Sequence, residues 1–157
     1  MTELELSSLH ALRSLPHIGD KTLRLLVDHF GSGQAVWEAT DGFTISGITK
    51  TAVDALFKKQ LSDRELLWME LQKEAITILH ADDPLYPALL RQIPDHPLLL
   101  YVRGQFDWST LNQKPTIAIV GSRKFTAYGE QVALRLSYDL AQAGFVVISG
   151  LAFGIDK

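Results

Sequence analysis

The sequence predicts an α/β protein in which a small all-α N-terminal region precedes an incomplete parallel α/β unit. Three observations carry that expectation. Apolar residues recur at helical spacing through the first half of the chain. Prolines then cluster between positions 84 and 97. Beyond them two short apolar runs, TIAIV (Thr116–Val120) and FVVIS (Phe145–Ser149), flank one stretch of helical period. Buried runs joined by a helix of that length imply parallel strands, because a parallel pair needs a long crossover to return the chain.

Element by element, Leu4, Leu9, Leu12 and Leu15 form a first amphipathic stripe, and Leu23, Leu26, Val27 and Phe30 a second. Pro16 and Gly19 break the chain between them, and Gly31 stands where a helix C-cap falls. Further helices are expected over 35–39, 50–57 and 63–74, the last carrying Leu66, Leu67, Met69 and Leu71 among charges. Residues 1–77 therefore read as one helical domain. Residues 78–113 read as an irregular connector packed against the next domain. Pro84, Pro87, Pro94 and Pro97 forbid a long helix there, and Leu89, Leu90, Ile93 and Leu98–Leu100 make it too apolar for a free linker. Its candidate strands are 77–79 and 98–102. Residues 114–157 then form a β-α-β unit: strand 116–120, a turn at Gly121–Lys124, a helix over 127–142 with Val132, Leu136 and Leu140 on one face, Gly144 as its stop, and strand 145–149. Such apolar strands are expected to be covered on both faces. Two strands do not complete a doubly wound sheet, so further β-α units are expected in a longer natural protein.

Composition narrows the function classes. Apolar residues make up 46% and charged residues 21% of the 157, the balance of a folded protein. With no cysteine, disulfide frameworks, zinc ribbons and thiol catalysis are excluded. The longest charge-free apolar stretch, 141–155, is shorter than the roughly 20 residues of a membrane span. Glu3 and Glu5 sit where a signal peptide carries positive charge. A cytoplasmic protein without membrane partners is the expectation. The net charge of −3 argues against coating nucleic acid by bulk electrostatics. Locally, however, Lys114, Arg123, Lys124 and Arg135 face the single acid Glu130. His10, His17, His29, His80 and His96 show no metal-ligand spacing. The cluster His80-Ala81-Asp82-Asp83 reads as a solvated turn, and Trp37, Trp68 and Trp108 read as packing residues.

The first strand-to-helix turn is the most informative site. In parallel α/β sheets, ligands bind at the C-terminal strand ends, where backbone N–H groups open at a helix N-terminus. Gly121 permits close backbone approach, Ser122 offers a hydroxyl, Arg123 a planar donor fork and Lys124 a point charge. The second strand ends in Ser149-Gly150-Leu151-Ala152-Phe153-Gly154-Ile155-Asp156. In a parallel pair that turn lies beside the first, and two glycine-bearing turns make a cradle wide enough for a phosphodiester backbone. Asp156 is expected to cap a following helix or orient Arg123. Phe125 and Tyr128 are the neighbouring aromatics suited to base stacking. A tight turn and a solvated arginine would leave the same pattern, so the residues alone keep both readings open. Neither turn matches GxxxxGK[ST] or GxGxxG, which disfavours nucleotide hydrolysis and NAD chemistry.

TIAIVGSRKFTAYG, FVVISGLAFGID and the upstream DDPLYPALLRQIPDHPLLLYVRG (Asp82–Gly104) occur in the chain as one upstream block and two core blocks. Together they resemble the lead-in and Rossmann-like core of the DNA-processing protein A (DprA, or Smf) family, over about half of the chain. The resemblance implies a cytoplasmic, non-catalytic protein without cofactors. Such a protein binds single-stranded DNA, dimerises in its full-length form, and helps load RecA recombinase during natural transformation. By position, the family's DNA-contacting turn matches Gly121, Ser122 and Arg123, and its second loop matches Ser149–Asp156, including Gly150 and Gly154. Phe153 stands where the family often has arginine. Leu15-Pro16-His17-Ile18-Gly19 and Ile45-Ser46-Gly47-Ile48-Thr49 resemble helix-hairpin-helix turns, but each keeps only one of the motif's two glycines. The helical region is therefore read as structural, resembling the sterile-alpha-motif-like domain found at this place in the family, with direct DNA contact as the alternative. A second class, nucleoside-monophosphate phosphoribohydrolases of related fold, uses a PGGxGTxxE block that does not occur in this sequence. A nucleotide-sensing domain of the same fold is the third.

Overall fold

The computed structural model describes residues 1–40, 43–58, 61–105 and 107–157, without the side chains of 61, 62 and 108–110. They divide into two compact units, Met1–Phe106 and Asp107–Lys157.

In the first unit, α1 (Glu3–Ser14) packs on α3 (Gly33–Glu38) and α5 (Leu61–Lys73), and α2 (Asp20–Phe30) packs on α3. The starts of α1 and α3 have a local cause. Thr2 Oγ1 accepts the Glu5 N–H at 3.2 Å, and Ser32 Oγ accepts the Ala35 N–H at 3.0 Å. The Glu5 carboxylate also accepts the first N–H groups of α3, from Gly33 at 2.6 Å and Gln34 at 2.9 Å. That clasp joins two helices through charge-assisted bonds. Leu23 and Leu26 are fully buried, and Gly31 ends α2 in the left-handed region, both as expected from the sequence. The expected stripe on α1 is only half right. Leu9 and Leu12 are buried, but Leu4 is exposed, and Ser7, Ser8, His10 and Ala11 complete the inner face. Ser7 and Ser8 can sit inside because both hydroxyls donate to the Leu4 carbonyl, at 2.9 and 2.8 Å. On α5, Leu71 is buried while Leu66 and Met69 are exposed. α4 (Lys50–Lys58) buries Ala52 and Leu56.

The proline-rich stretch is more ordered than the expected connector. β1 (Ile76–His80) pairs antiparallel with β2 (Leu99–Arg103), Ile78 opposite Tyr101. Between them the prolines confine α6 to Ala88–Arg91. Tyr86 is buried beneath this segment, its hydroxyl donating to the Pro97 carbonyl at 2.7 Å. His80 is buried at the end of β1 rather than on a solvated turn, and its Nδ1 accepts the Asp82 N–H at 3.1 Å. His10 Nδ1 and the Tyr101 hydroxyl lie 2.9 Å apart and tie α1 to β2. Trp37 is buried, and Trp68 Nε1 donates to Glu3 at 2.8 Å. The Trp108 side chain lies outside the described residues.

In the second unit, α7 (Trp108–Gln113) leads into β3 (Thr116–Ala118), α8 (Ala127–Gln142) and β4 (Val146–Ile148). The strands pair in parallel, with Ile117 opposite Val147. Thr126 caps α8 by accepting the Gly129 N–H at 3.1 Å. α8 packs against β4, but of the expected face only Leu140 turns inward. Gly129, Ala133, Ser137 and Leu140 are its half-buried residues, while Val132 and Leu136 are exposed. Small side chains at spacing four allow closer approach, and the Ser137 hydroxyl is satisfied by the Ala133 carbonyl at 2.7 Å. Among the described residues, Ile148 on β4 and Val120 just beyond β3 are exposed. Mixed helix and strand, with one parallel and one antiparallel pair, is an α/β architecture.

Candidate nucleic-acid interface

The parallel pairing brings the loops after β3 and β4 side by side. Ile119 donates to the Ile148 carbonyl at 2.9 Å, the last rung before the loops separate from the strands. Two bonds then lock loop to loop, and a third braces the second loop internally. The Gly121 N–H donates to Asp156 Oδ1 at 2.9 Å, the Ile155 N–H to the Ser122 carbonyl at 3.2 Å, and the Ser149 hydroxyl to the Asp156 carbonyl at 2.6 Å.

Two glycines make this interlock possible. A Cβ on Gly154, at φ +113°, would collide with the Ser122 carbonyl and the Arg123 Cα. A Cβ on Gly121 would lie 2.7 Å from the Ile155 Cβ. The space left open at Gly121 is thus filled by the second loop, whereas the sequence suggested it for ligand approach. Leu151 adopts φ 49° on the same loop, an unusual conformation for a branched residue and one the surrounding bonds must hold.

The interlock decides which donors remain available. Asp156 uses the Gly121 N–H; it neither caps a described helix nor pairs with Arg123. The Ser122 hydroxyl donates to the Lys124 carbonyl at 2.7 Å and accepts the Lys124 N–H at 3.1 Å, forming a turn around itself. Among the described residues, the Ser122 and Arg123 N–H groups and the Arg123 guanidinium have no partner. Arg123 and Lys124 are both exposed. Arg135, counted with them in the local basic excess, instead pairs with Asp139 at 3.1 Å. Lys157 places Nζ 5.8 Å from the centroid of the Phe153 ring.

The cavity beside the loops has a volume of about 830 Å³ and includes Arg123, Phe125, Ser149, Phe153, Gly154 and Asp156 in its lining. All eight residues picked out in the sequence lie on these two loops: Gly121, Ser122, Arg123, Lys124, Ser149, Gly150, Gly154 and Asp156. Their parts differ. Gly121, Gly154, Ser149 and Asp156 build the interlock, a Cβ on Gly150 would sit 3.0 Å from Asp156, and Arg123 and Lys124 present their charge to solvent. Sequence reasoning missed Ile155, which fills the hollow at Gly121, and Lys157, which lies over the Phe153 ring. Tyr128, singled out in the sequence, is exposed but does not line the cavity. Among the described residues, no three His, Asp or Glu side chains gather to hold a metal, and no helix is long and apolar enough to cross a membrane. The His17 turn of the first unit is tied down by its neighbour Ile18, which is buried and whose carbonyl accepts from Arg13 at 3.3 Å.

Residues 77–157 match the family model of DNA recombination-mediator protein A. The matched span contains both loops and the proline-rich lead-in, about half of the chain. The chain belongs to this family. It is 33% identical over 147 residues to the protein Smf of Synechocystis, covering 88% of this chain and 36% of that one. The DNA processing protein DprA of Bacillus subtilis is 38% identical over 85 residues, covering 54% of this chain and 28% of that one. That of Streptococcus pneumoniae is 36% identical over 113 residues, covering 71% and 37%. The chain therefore spans well under half the length of these relatives.

Proposed function

We propose that the paired loops after β3 and β4 bind the sugar-phosphate backbone of single-stranded DNA, and that the protein acts in DNA processing and recombination as a non-catalytic mediator. In this reading the full-length protein is a cytoplasmic homodimer that protects incoming DNA and helps load RecA recombinase. Membership of the recombination-mediator family supports the role in DNA processing and recombination. The observation that carries the site is the Arg123 guanidinium, unpartnered among the described residues, beside two open N–H groups at the C-terminal end of a parallel strand.

Phosphate contacts position a strand without reading its sequence, so binding is expected to be sequence-tolerant and salt-dependent. Arg123→Ala is the test. Its affinity for a labelled oligothymidylate is measured by fluorescence anisotropy across a salt series. Loss of one phosphate contact should make the slope of log K against log salt shallower by about 0.7. Unchanged affinity and slope in a folded variant would refute the site.

A further inference from the structure

We infer that Phe153 is a base-stacking platform, so that the cavity beside the loops is a nucleotide subsite taking a base as well as its phosphate. The inference rests on the backbone-binding reading above and adds to it a contact that the phosphate does not make. Phe153 offers its ring to solvent, 81% exposed, on a loop whose neighbours are tightly interlocked. Its backbone cannot drift, because Gly154, the next residue, is wedged against the Ser122 carbonyl and the Arg123 Cα. The ring is therefore held within one residue of the contact with the loop that carries the open phosphate donors.

Its surroundings fit that use. Phe153, Phe125 and Arg123 line one cavity, and Lys157 lies over the Phe153 ring at 5.8 Å from its centroid. A cation beside an exposed ring is the arrangement by which single strands are held, phosphate on the charge and base on the π-face. The acids of the same cavity are Glu130, in the first turn of α8, and Asp156, whose carboxylate is engaged by the Gly121 N–H. Every base has a π-face, so the contact favours unpaired strands over duplex, where the bases are already stacked.

The test compares two ligands on the same 157-residue chain: a labelled oligothymidylate and an abasic oligomer of equal length and charge. The wild type should bind the oligothymidylate on the order of tenfold more tightly. Phe153→Leu keeps apolar bulk but removes the ring. It should bind both oligomers alike, at the wild-type abasic affinity. Phe153→Trp should restore the preference and show quenching of its fluorescence by oligothymidylate. If the wild type binds both oligomers equally, or Phe153→Leu weakens both by the same factor, the stacking role is overturned while backbone binding stands. If the wild type binds neither, both readings fall together.

Discussion

Replacing Gly154 with alanine puts a Cβ against two backbone groups, the Ser122 carbonyl and the Arg123 Cα, neither of which can turn aside as a side chain could. The position also has φ +113°, and holding an L-residue there costs about 1–3 kcal/mol. Relief requires the second loop to withdraw. Withdrawal breaks the Ile155 N–H bond to the Ser122 carbonyl and the Gly121 N–H bond to Asp156, each contributing about 1 kcal/mol net. Those two bonds favour the interlocked arrangement by about 2 kcal/mol, and the backbone cost of about 1–3 kcal/mol with the collision added to it offsets that preference, so the variant should populate the separated arrangement. Gly144→Ala is the matched control. It has φ +90° and nothing within 4 Å of the point a Cβ would occupy, so it carries the backbone cost without the collision. Amide hydrogen exchange reads the outcome directly. In Gly154→Ala the Gly121 and Ile155 amides should lose protection while the α8 amides keep theirs, and oligothymidylate affinity should fall by about tenfold or more. In Gly144→Ala both should stay near wild type. If Gly154→Ala keeps the protection of those two amides and binds as the wild type does, the interlock does not organise the site.

Two further predictions concern the first unit. Burial holds the His10 and His80 imidazoles below their ordinary pKa. Below about pH 6.5 the unfolded chain therefore takes up protons that the folded protein refuses, so stability should rise with pH through that range and then flatten. Burial also pushes the Tyr101 phenol up to about 12. Between about pH 10 and 12 the unfolded chain loses a proton that the folded one keeps, so stability should fall again. Urea midpoints across pH test both arms. Burial raises the Tyr86 phenol as well, so part of the alkaline arm belongs to it; an acid arm that survives in His10→Gln/His80→Gln, or an alkaline arm undiminished in Tyr101→Phe, would contradict the assignment. Leu12, fully buried where α1 meets α3 and α5, should cost about 2–5 kcal/mol when cut to alanine. Leu66→Ala, on the exposed face of α5, should stay within about 0.5 kcal/mol. Equal losses would mean the buried face of α1 is wrongly placed.

Periodicity and punctuation alone located most elements. The apolar runs at 116–120 and 145–149 each contain an observed strand, and α8 occupies 127–142 as expected, because Thr126 caps it and Gly144 stops it. The two loops were legible for the same reason: glycines and an Arg-Lys pair follow apolar runs too short for helices. Helix faces were less legible. Ser8 and Ser137 sit inward because a helix can satisfy a hydroxyl internally, a possibility that a search for apolar spacing passes over.

What the sequence determined by itself is the family, the α/β class and the pair of loops that carry the candidate chemistry, all of which follow from local residue order. Tertiary structure decided which donors those loops keep. Gly121 and Asp156 are 35 residues apart in the chain, and only the parallel register of β3 and β4 brings them within 2.9 Å. That bond removes the Gly121 N–H from the site and leaves Arg123 with its open neighbours as the group that faces solvent. The physical reason is that a hydrogen bond is made by position in space, and position across a sheet is set by strand pairing rather than by neighbours in sequence.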